Sequence, residues 1–568
     1  MAEPGSVSRR RGSKLSTDSD TLALLGKKQV LKRRFGFPSL LAFAICELIT
    51  WETVLALFSQ GFTNGGPAGL VYGFIIAWLS TLSVYTVIAE LASIAPIASG
   101  QYYWVYMLAP PKYKKVSSYM VGWLTSLAWI ATVATESLFA GTIIQGLINL
   151  SHPEYTEQLW QGTLLTWAVI VINVLINTII PDALPKIELL IMVLHLCGFV
   201  GIMVALLTTA EIGSAESVWL TSLNRGGWPT QGLSYCVGFL GNVATFVGAD
   251  ASVHMAEEVS NAAINIPRAI TAGMIINGCI GFAMMVTALY CLGPDVDSIL
   301  DSPTGFPFLQ IFYNAVGTRG GAVAMGAIVL ILTWACSTGI TTTASRMTWS
   351  FARDKGTPFS HILSKVDPRT QVPIIAVFAV TGFAMLLTCI YFGSATAFND
   401  VISLTITGFY GSYLIPSALL LYHRVKGNIL PYGSVGEDTE DLRPRNSDSP
   451  EGAASGKSDD VQRIPAGDAD IRQERITWGP WHMPGILGIA INAYACMYMV
   501  FVIFWSVWPP QTPVTPDTMN YSIVVTGGVM ILSVVWYYIG GKKQYKGPVV
   551  DEDVVEVVRR RKSSVVVE

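Results

Sequence analysis

The sequence predicts an all-α polytopic membrane protein with twelve transmembrane helices. It contains twelve apolar runs, each long enough for the roughly 20 helical residues that cross a hydrocarbon core about 30 Å thick. The chain is 51% hydrophobic and only 13% charged, whereas an ordinary soluble protein is about 25% charged. A soluble fold with so little polar surface would not stay in solution.

The apolar runs are separated by short hydrophilic connections. The predicted spans are 39–60, 67–93, 118–148, 160–180, 186–208, 233–257, 268–292, 318–345, 373–392, 397–422, 484–508 and 520–540.

Positive charge falls on alternate sides of these spans. If both termini are cytoplasmic, all 36 Lys and Arg residues except Arg225 and Arg319 belong to cytoplasmic segments. The positive-inside rule therefore predicts a multi-pass protein with its N and C termini in the cytoplasm.

Three longer hydrophilic segments lie on the cytoplasmic side: the basic N-terminal tail (1–38), a linker (427–478) and the C-terminal tail (541–568). The linker is rich in Gly, Ser, Asp, Pro and Arg and poor in aromatic residues, so it is predicted to be disordered. The basic clusters of the N-terminal tail are expected to set the orientation and, secondarily, to contact anionic membrane lipid.

The sequence contains no extramembrane catalytic domain and no GxxxxGK[ST] motif, which argues against ATP-driven pumping and favours a secondary transporter. No CxxC pair is present, so no metal site is predicted. An enzyme would need a nucleophile–base or metal cluster, and beyond Asp250 and His254 none is visible. We therefore expect no catalytic residues, no cofactor and no nucleic-acid partner.

The first span places acidic side chains inside an apolar helix. In "CELITWETVL", Thr50, Trp51, Glu52 and Thr53 lie near the middle of the membrane, with Glu47 a weaker candidate nearer the cytoplasm. A charge at this depth costs about 2.5–3.5 kcal/mol, so it indicates function. Trp51 and Glu52 together suit an ammonium group. The alternative is that Glu52 only bonds a neighbouring helix.

The sixth span is predicted to break. Gly241 and Gly248 loosen the helix, and Phe246 and Gly248 fall near its centre, where a break would expose backbone to a ligand. Asp250 follows as a candidate for the pocket or its gate.

Farther along the same segment, His254 and Glu257 or Glu258 share a helix face with Asp250. They are candidates for proton coupling or gating. The simpler interpretation of the two glutamates is a solvated cytoplasmic helix end.

Four other intramembrane side chains are weaker candidates. Glu136 lies in the middle of the third span, and His195 has an imidazole whose ordinary pKa suits proton coupling. Trp129 and Trp334 are candidate pocket aromatics. Each of the four could equally be a satisfied core residue.

Four strings extend this interpretation: "NGGPAGLVYGFI" (64–75), "AELASIAPIASGQYYWVYMLAPPKY" (89–113), "GADASVHMAEEVSNAAINIPRAI" (248–270) and "TTASRMTWSFARDKGTP" (342–358). With them the chain resembles the amino acid–polyamine–organocation superfamily. Within it, the chain is similar to the fungal amino acid/choline transporter family, which includes GABA and choline permeases.

The resemblance implies a LeuT-type fold, with five-helix inverted repeats at 39–208 and 233–422 and two further helices at 484–540. Spans 1 and 6 would be the broken pair, with substrate contacts around 49–53 and 246–250, Ala249 included. Spans 3 and 8 would complete the pocket, and His195 lies about where some relatives carry a titratable amine. The first span has no glycine where many members are broken, and its Trp and Glu suit the amine end of a solute.

The function expected from the sequence is proton-coupled import of a small amine-bearing nutrient, such as an amino acid or GABA, by alternating access. Choline or a polyamine is the alternative substrate, and a nutrient receptor that binds without transporting is the alternative function. By analogy we expect the plasma membrane, with the vacuolar membrane second. The sequence leaves the oligomeric state open.

Overall fold

The computed structural model describes residues 18, 22–23, 25–293, 295–393, 397–432, 476–516 and 518–549. In these residues the regular structure is helical, accompanied by two isolated β-bridges. Most of the predicted linker, the start of the N-terminal tail and the end of the C-terminal tail lie outside the described residues, so the predictions about them stay predictions.

The helices are labelled here in chain order. They are α1 (Phe37–Leu48), α2 (Thr50–Ala56), α3 (Phe58–Ile94), α4 (Gln101–Leu108), α5 (Lys114–Ser151), α6 (Leu159–Ile179), α7 (Leu184–Thr209), α8 (Ala215–Trp219), α9 (Gln231–Ala244), α10 (Ala251–His254), α11 (Ala262–Tyr290), α12 (Val296–Leu300), α13 (Pro307–Val316), α14 (Arg319–Arg353), α15 (Ser360–Leu363), α16 (Ile374–Thr388), α17 (Ala397–Val425), α18 (Gly485–Trp505), α19 (Ser522–Trp536) and α20 (Lys542–Gln544).

Within the described ranges, eleven helical segments are long and apolar enough to cross a membrane, the first of them formed by α1 and α2 together. This confirms the predicted all-α polytopic membrane protein. The predicted span 233–257 is not among the eleven because the chain there divides into α9 and the very short α10. The exact count of twelve and the inverted repeat stay predictions.

The second predicted span, 67–93, corresponds to the part of α3 that follows a sharp kink. Helix α3 starts at Phe58 and kinks at Gly66, where φ is +65°. A side chain at Gly66 would lie 2.7 Å from the backbone nitrogen of Leu223, so the bend and the close approach both favour glycine there. The following Pro67 continues the helix toward Ile94.

The first span breaks without a glycine. Ile49, between α1 and α2, has φ +31° and ψ +47°, and its N–H closes α1 on the carbonyl of Ile45. The sixth span breaks at Thr245–Asp250, as its glycines predict, with Gly248 at φ +106°. The Thr50 hydroxyl donates to the Thr245 carbonyl at 3.1 Å, which joins the two breaks.

One end of the helical bundle is rich in buried ion pairs, and we call it the basic end. Glu258 accepts from Arg34 at 3.0 Å and from Arg346 at 2.8 Å. Arg353 bonds both carboxylate oxygens of Glu257. Removing one partner of such a buried pair costs about 3–5 kcal/mol because the other charge is left uncompensated. These pairs therefore hold the bundle closed at this end.

Both ends of the described chain meet at the basic end. Lys27 pairs with the fully buried Asp354, which also accepts from the Tyr102 hydroxyl at 2.9 Å and from the Val549 backbone N–H at 3.0 Å. Burial lowers the pKa of Lys27 below its ordinary value, although Asp354 opposes the shift. Asp354 thus fastens the segments that lead to both termini.

Candidate functional site

A cavity lies where the two broken spans meet α5, α14 and α17. Its walls are formed by Glu47, Leu48, Ile49, Thr53, Leu57, Thr132, Thr135, Glu136, Phe139, Ala244, Val247, Ile340, Ile402, Thr405 and Ile406. Because Ile49 and Val247 sit at the two breaks, the irregular backbone lines a cavity, where it is tolerated in a membrane.

Two carboxyl groups face this cavity. Glu47 is 2% exposed, and neither of its oxygens has a hydrogen-bond partner; Oε2 of Glu136 also has none. Glu47 has room because a glycine, Gly339, faces it on α14: a Cβ there would lie 1.8 Å from Oε1 of Glu47. Among the described residues that line the cavity there is no Lys, Arg or His.

The carboxyl groups belong to a larger acidic cluster. Glu47 interacts electrostatically with Glu136 and Glu188, and Glu136 with Glu52. Among the described residues, Glu52 is the one of these four glutamates that contacts a basic side chain, that of His195.

Glu52 and His195 form a buried pair next to the cavity. Nδ1 of His195 lies 2.7 Å from Oε1 of Glu52, and both side chains are closed to solvent. Nε2 of His195 and Oε2 of Glu52 have no hydrogen-bond partner. Trp51 packs against the imidazole, with ring centroids 5.8 Å apart. The structure thus brings three predicted residues, Trp51, Glu52 and His195, together behind the cavity wall.

Asp250 and His254 form a second buried polar group. Asp250 accepts from the Gln101 amide at 2.7 Å and from the Tyr413 hydroxyl at 2.5 Å. Nε2 of His254 lies 3.5 Å from Asp250, and its Nδ1 bonds the Ala98 carbonyl, so Nδ1 carries a hydrogen. This group fastens α10 to α4 and α17.

The other predicted residues also lie outside the cavity wall. Phe246 packs on Phe74, Trp129 packs edge-on against His254, and the Trp334 indole donates to Asn173. Of the substrate contacts predicted by name, Thr53 lines the cavity, together with Ile49 and Val247 from the predicted ranges 49–53 and 246–250; Glu136 joins them from the predicted coupling residues.

Three corrections to the predicted pocket follow. Glu52 and Asp250 point into contacts with neighbouring helices because each finds hydrogen-bond partners there. The amides of Gly248 and Ala249 are occupied by the Tyr85 hydroxyl, at 3.0 and 3.2 Å. Glu258 is a member of the ion pairs at the basic end and is not a solvated helix end.

Sequence reasoning missed some wall residues. Thr132 and Thr135 lie on α5 with Glu136, one turn or less away, so the position of that carboxylate was the available signal. Glu47 was a weaker candidate than Glu52 because it lies nearer the cytoplasmic end of the predicted span. The break at Ile49, which lies between the two glutamates, changes which face of the span each occupies. In the part of the chain described, no three His, Cys, Asp or Glu side chains are grouped to hold a metal ion.

Three features place the protein in the class of membrane transport proteins. It has membrane-spanning helices, a broken span lies on either side of a buried cavity, and the sequence contains no GxxxxGK[ST] motif. A sequence profile of the amino acid permease family matches residues 35–529. The chain belongs to the amino acid permease family, which confirms the resemblance carried by the four strings.

Several curated proteins are similar to almost the whole chain. The choline transporter of Saccharomyces cerevisiae is 28% identical over 517 residues, which cover 91% of this chain and 83% of the relative. The GABA-specific permease of the same yeast is 27% identical over 567 residues, covering 98% and 90%. Amino-acid permease 2 of Neurospora crassa is 25% identical over 543 residues, covering 94% and 90%. The chain is therefore an integral, multi-pass membrane transporter.

Proposed function

We propose that the protein imports a small amine-bearing solute together with a proton, by alternating access. The observation that carries the proposal is the cavity between the two breaks, whose only charged wall groups among the described residues are the carboxyl groups of Glu47 and Glu136. Unpaired carboxylates at this depth are costly, so a positive ligand stabilises them. Choline and GABA, the solutes named for two relatives, both carry a positively charged nitrogen.

Proton coupling is assigned to the pair of His195 and Glu52. Glu52 interacts electrostatically with Glu136 in the cavity wall, so a proton on the pair changes the charge that a bound solute experiences. If proton and solute each stabilise the state that the other prefers, their binding is coupled and the proton gradient drives uptake.

The basic end is proposed to face the cytoplasm, as the positive-inside rule predicts. Opening there requires the pairs of Glu257, Glu258 and Asp354 to separate. We propose the plasma membrane as the location, by analogy with permeases that take up nutrients.

The test is uptake into proteoliposomes that hold the purified protein, with and without an inwardly directed proton gradient. We expect a labelled amine-bearing solute to accumulate only with the gradient, and a protonophore to abolish the accumulation. In His195→Gln, downhill entry should persist while gradient-driven accumulation is lost. His361→Gln, at an exposed histidine, is the matched control.

Accumulation that does not respond to the gradient or the protonophore would contradict proton coupling. Solute binding without any entry would favour the alternative of a nutrient receptor.

A further inference from the structure

The break in the first span falls on a residue type that disfavours it. Ile49 adopts φ +31° and ψ +47°, in the left-handed region, and its side chain is only 3% exposed. The branched Cβ makes this conformation an outlier for isoleucine, whereas glycine adopts it freely. Without other contacts, Ile49 would take the right-handed helical conformation that its chirality favours, and α1 would continue into α2. Neighbouring helices must therefore stabilise the break.

One stabilising contact comes from α11. The fully buried Asn277 donates from Nδ2 to the Ile45 carbonyl at 3.2 Å, in the last turn of α1. A second contact comes from α14. The Glu47 carbonyl, which in a continuous helix would accept from the N–H of Trp51, lies 3.5 Å from the Cys336 thiol instead. Side chains from two other helices thus bond the end of α1.

Another contact holds the first residue of α2. The Thr50 hydroxyl donates to the Thr245 carbonyl at the break of the sixth span, at 3.1 Å. Thr50 also approaches α11 closely, because a glycine faces it there: a Cβ at Gly281 would lie 2.7 Å from Cγ2 of Thr50. Gly281 and Asn277 are one helical turn apart and share a face of α11. This one helix therefore fits against both sides of the break.

The break also leaves N–H groups of the first span unbonded. In the described structure, those of Thr50, Trp51 and Glu52 bond no carbonyl of α1, whereas the N–H of Thr53 bonds the Ile49 carbonyl at 2.9 Å. In a continuous helix, each of the three would bond the carbonyl four residues earlier. The broken and continuous arrangements therefore differ in how well these amides are protected from hydrogen exchange.

We propose that Ile49 is a strained hinge, and that Asn277 and Thr50 are the positioning residues that keep the first span broken there. Leu48, Ile49 and Thr53 line the cavity, so the broken arrangement is the one that forms the solute site. Without the two hydrogen bonds, part of the population would have a continuous first span and no formed site. The inference rests on the proposed transport function for its effect on uptake.

Hydrogen–deuterium exchange of the purified full-length protein tests the hinge without any solute. Asn277→Leu keeps the size of the side chain and removes the donor, which shifts the population toward the continuous helix. We expect exchange at the amides 50–52 to slow about twofold or more. Thr50→Val should act in the same way, and Thr50→Ser, which keeps the hydroxyl, should behave as the wild type. Unchanged or faster exchange in Asn277→Leu would overturn the proposal.

The matched control is Asn149→Leu. Asn149 is also buried, and its Nδ2 donates to the Tyr155 carbonyl at the same distance of 3.2 Å, outside both breaks. This substitution removes a comparable hydrogen bond and should leave exchange at the amides 50–52 unchanged.

Rescue by glycine separates a hinge from a general loss of stability. Ile49→Gly removes the strain of the left-handed conformation, so adding Asn277→Leu in that background should no longer slow exchange. Ile49→Ala also shortens the side chain in the cavity wall but keeps the Cβ, so it should rescue much less. Equal rescue by alanine and glycine would contradict a strained backbone at Ile49.

Uptake of GABA and of choline into proteoliposomes measures the consequence for transport. A smaller population with a formed site should raise the half-saturation concentration about twofold or more in Asn277→Leu, whereas saturating solute restores the maximal rate. Ile49→Gly should abolish this difference between the variant and its parent.

The outcomes separate the two proposals. Slowed exchange with rescue by glycine, in a protein that transports no amine-bearing solute, would support the hinge and contradict transport. Proton-coupled uptake together with unchanged exchange in Asn277→Leu would overturn the hinge and leave transport standing. If the wild type takes up neither GABA nor choline, exchange alone decides the hinge.

Discussion

Gly339→Ala gives a sharp test of the cavity. The new Cβ would lie 1.8 Å from Oε1 and 2.8 Å from Cδ of Glu47, and 3.3 Å from a ring carbon of Phe43. A normal contact lies beyond about 3.4 Å, so the carboxylate must move by more than 1 Å. Because neither oxygen of Glu47 has a partner, the side chain yields more easily than the helix.

The displacement removes Glu47 from its position in the cavity wall. We expect the half-saturation concentration for the amine to rise about tenfold or more, which corresponds to a lost charge-assisted contact of about 1.5–3 kcal/mol. Overpacking costs about 1–3 kcal/mol of stability, partly offset by up to about 1 kcal/mol from replacing a helical glycine. The melting temperature should therefore change much less than the transport.

The assay is uptake in proteoliposomes at equal protein content, with the melting temperature measured on the same preparations. Gly201→Ala is the control, because a Cβ at Gly201 meets nothing within 4 Å. In a Glu47→Ala background, Gly339→Ala should add no further loss, since the clash is gone. Wild-type uptake by Gly339→Ala would refute the placement of Glu47 in the solute site.

Three further predictions concern other parts of the molecule. Lys27→Met should lower the melting temperature, because removing one partner of the buried ion pair with Asp354 costs about 3–5 kcal/mol. The control is Lys28→Met, at an exposed lysine, which should leave the melting temperature unchanged. Equal effects of the two substitutions would contradict the role of the Lys27–Asp354 pair. Asp250→Asn should abolish uptake while surface expression persists, because the amide keeps one acceptor oxygen and its NH2 would face the donor of either Gln101 or Tyr413; normal uptake would show that this group is a bystander. Deleting 435–470 should leave uptake nearly normal in transport assays if the linker is disordered, and loss of uptake by a well-expressed deletion would overturn that view.

Much of the fold was predictable because it depends on long-range patterns. Apolar runs of membrane length identified the spans, and Gly248 marked the break in the sixth, whereas Gly241 lies inside α9. The break at Ile49 was not marked by its own residue type, since isoleucine rarely adopts a positive φ. At Ile49 the surrounding packing stabilises the positive φ, and this packing includes the hydrogen bond from Thr50 to Thr245.

The candidate site was harder to predict than the fold. An acidic residue in a span indicates that it needs a polar partner, but the hydropathy pattern does not identify the neighbour that it faces. Glu52 bonds His195 from α7, whereas the carboxylate oxygens of Glu47 have no hydrogen-bond partner and one of them lies against Gly339. Nothing in the sequence near either glutamate distinguishes them. Residues far away in the sequence determine whether each glutamate has a hydrogen-bond partner.

The position of Asp354 also has a consequence for biogenesis. Helix α14 is synthesised and inserted well before Val549 leaves the ribosome, so during that interval Asp354 lacks one of its three partners. The basic end therefore gains this contact only when the last described residues have been made. Asp354 joins segments that lie on either side of α14 in the chain, one at Lys27 and one at Val549.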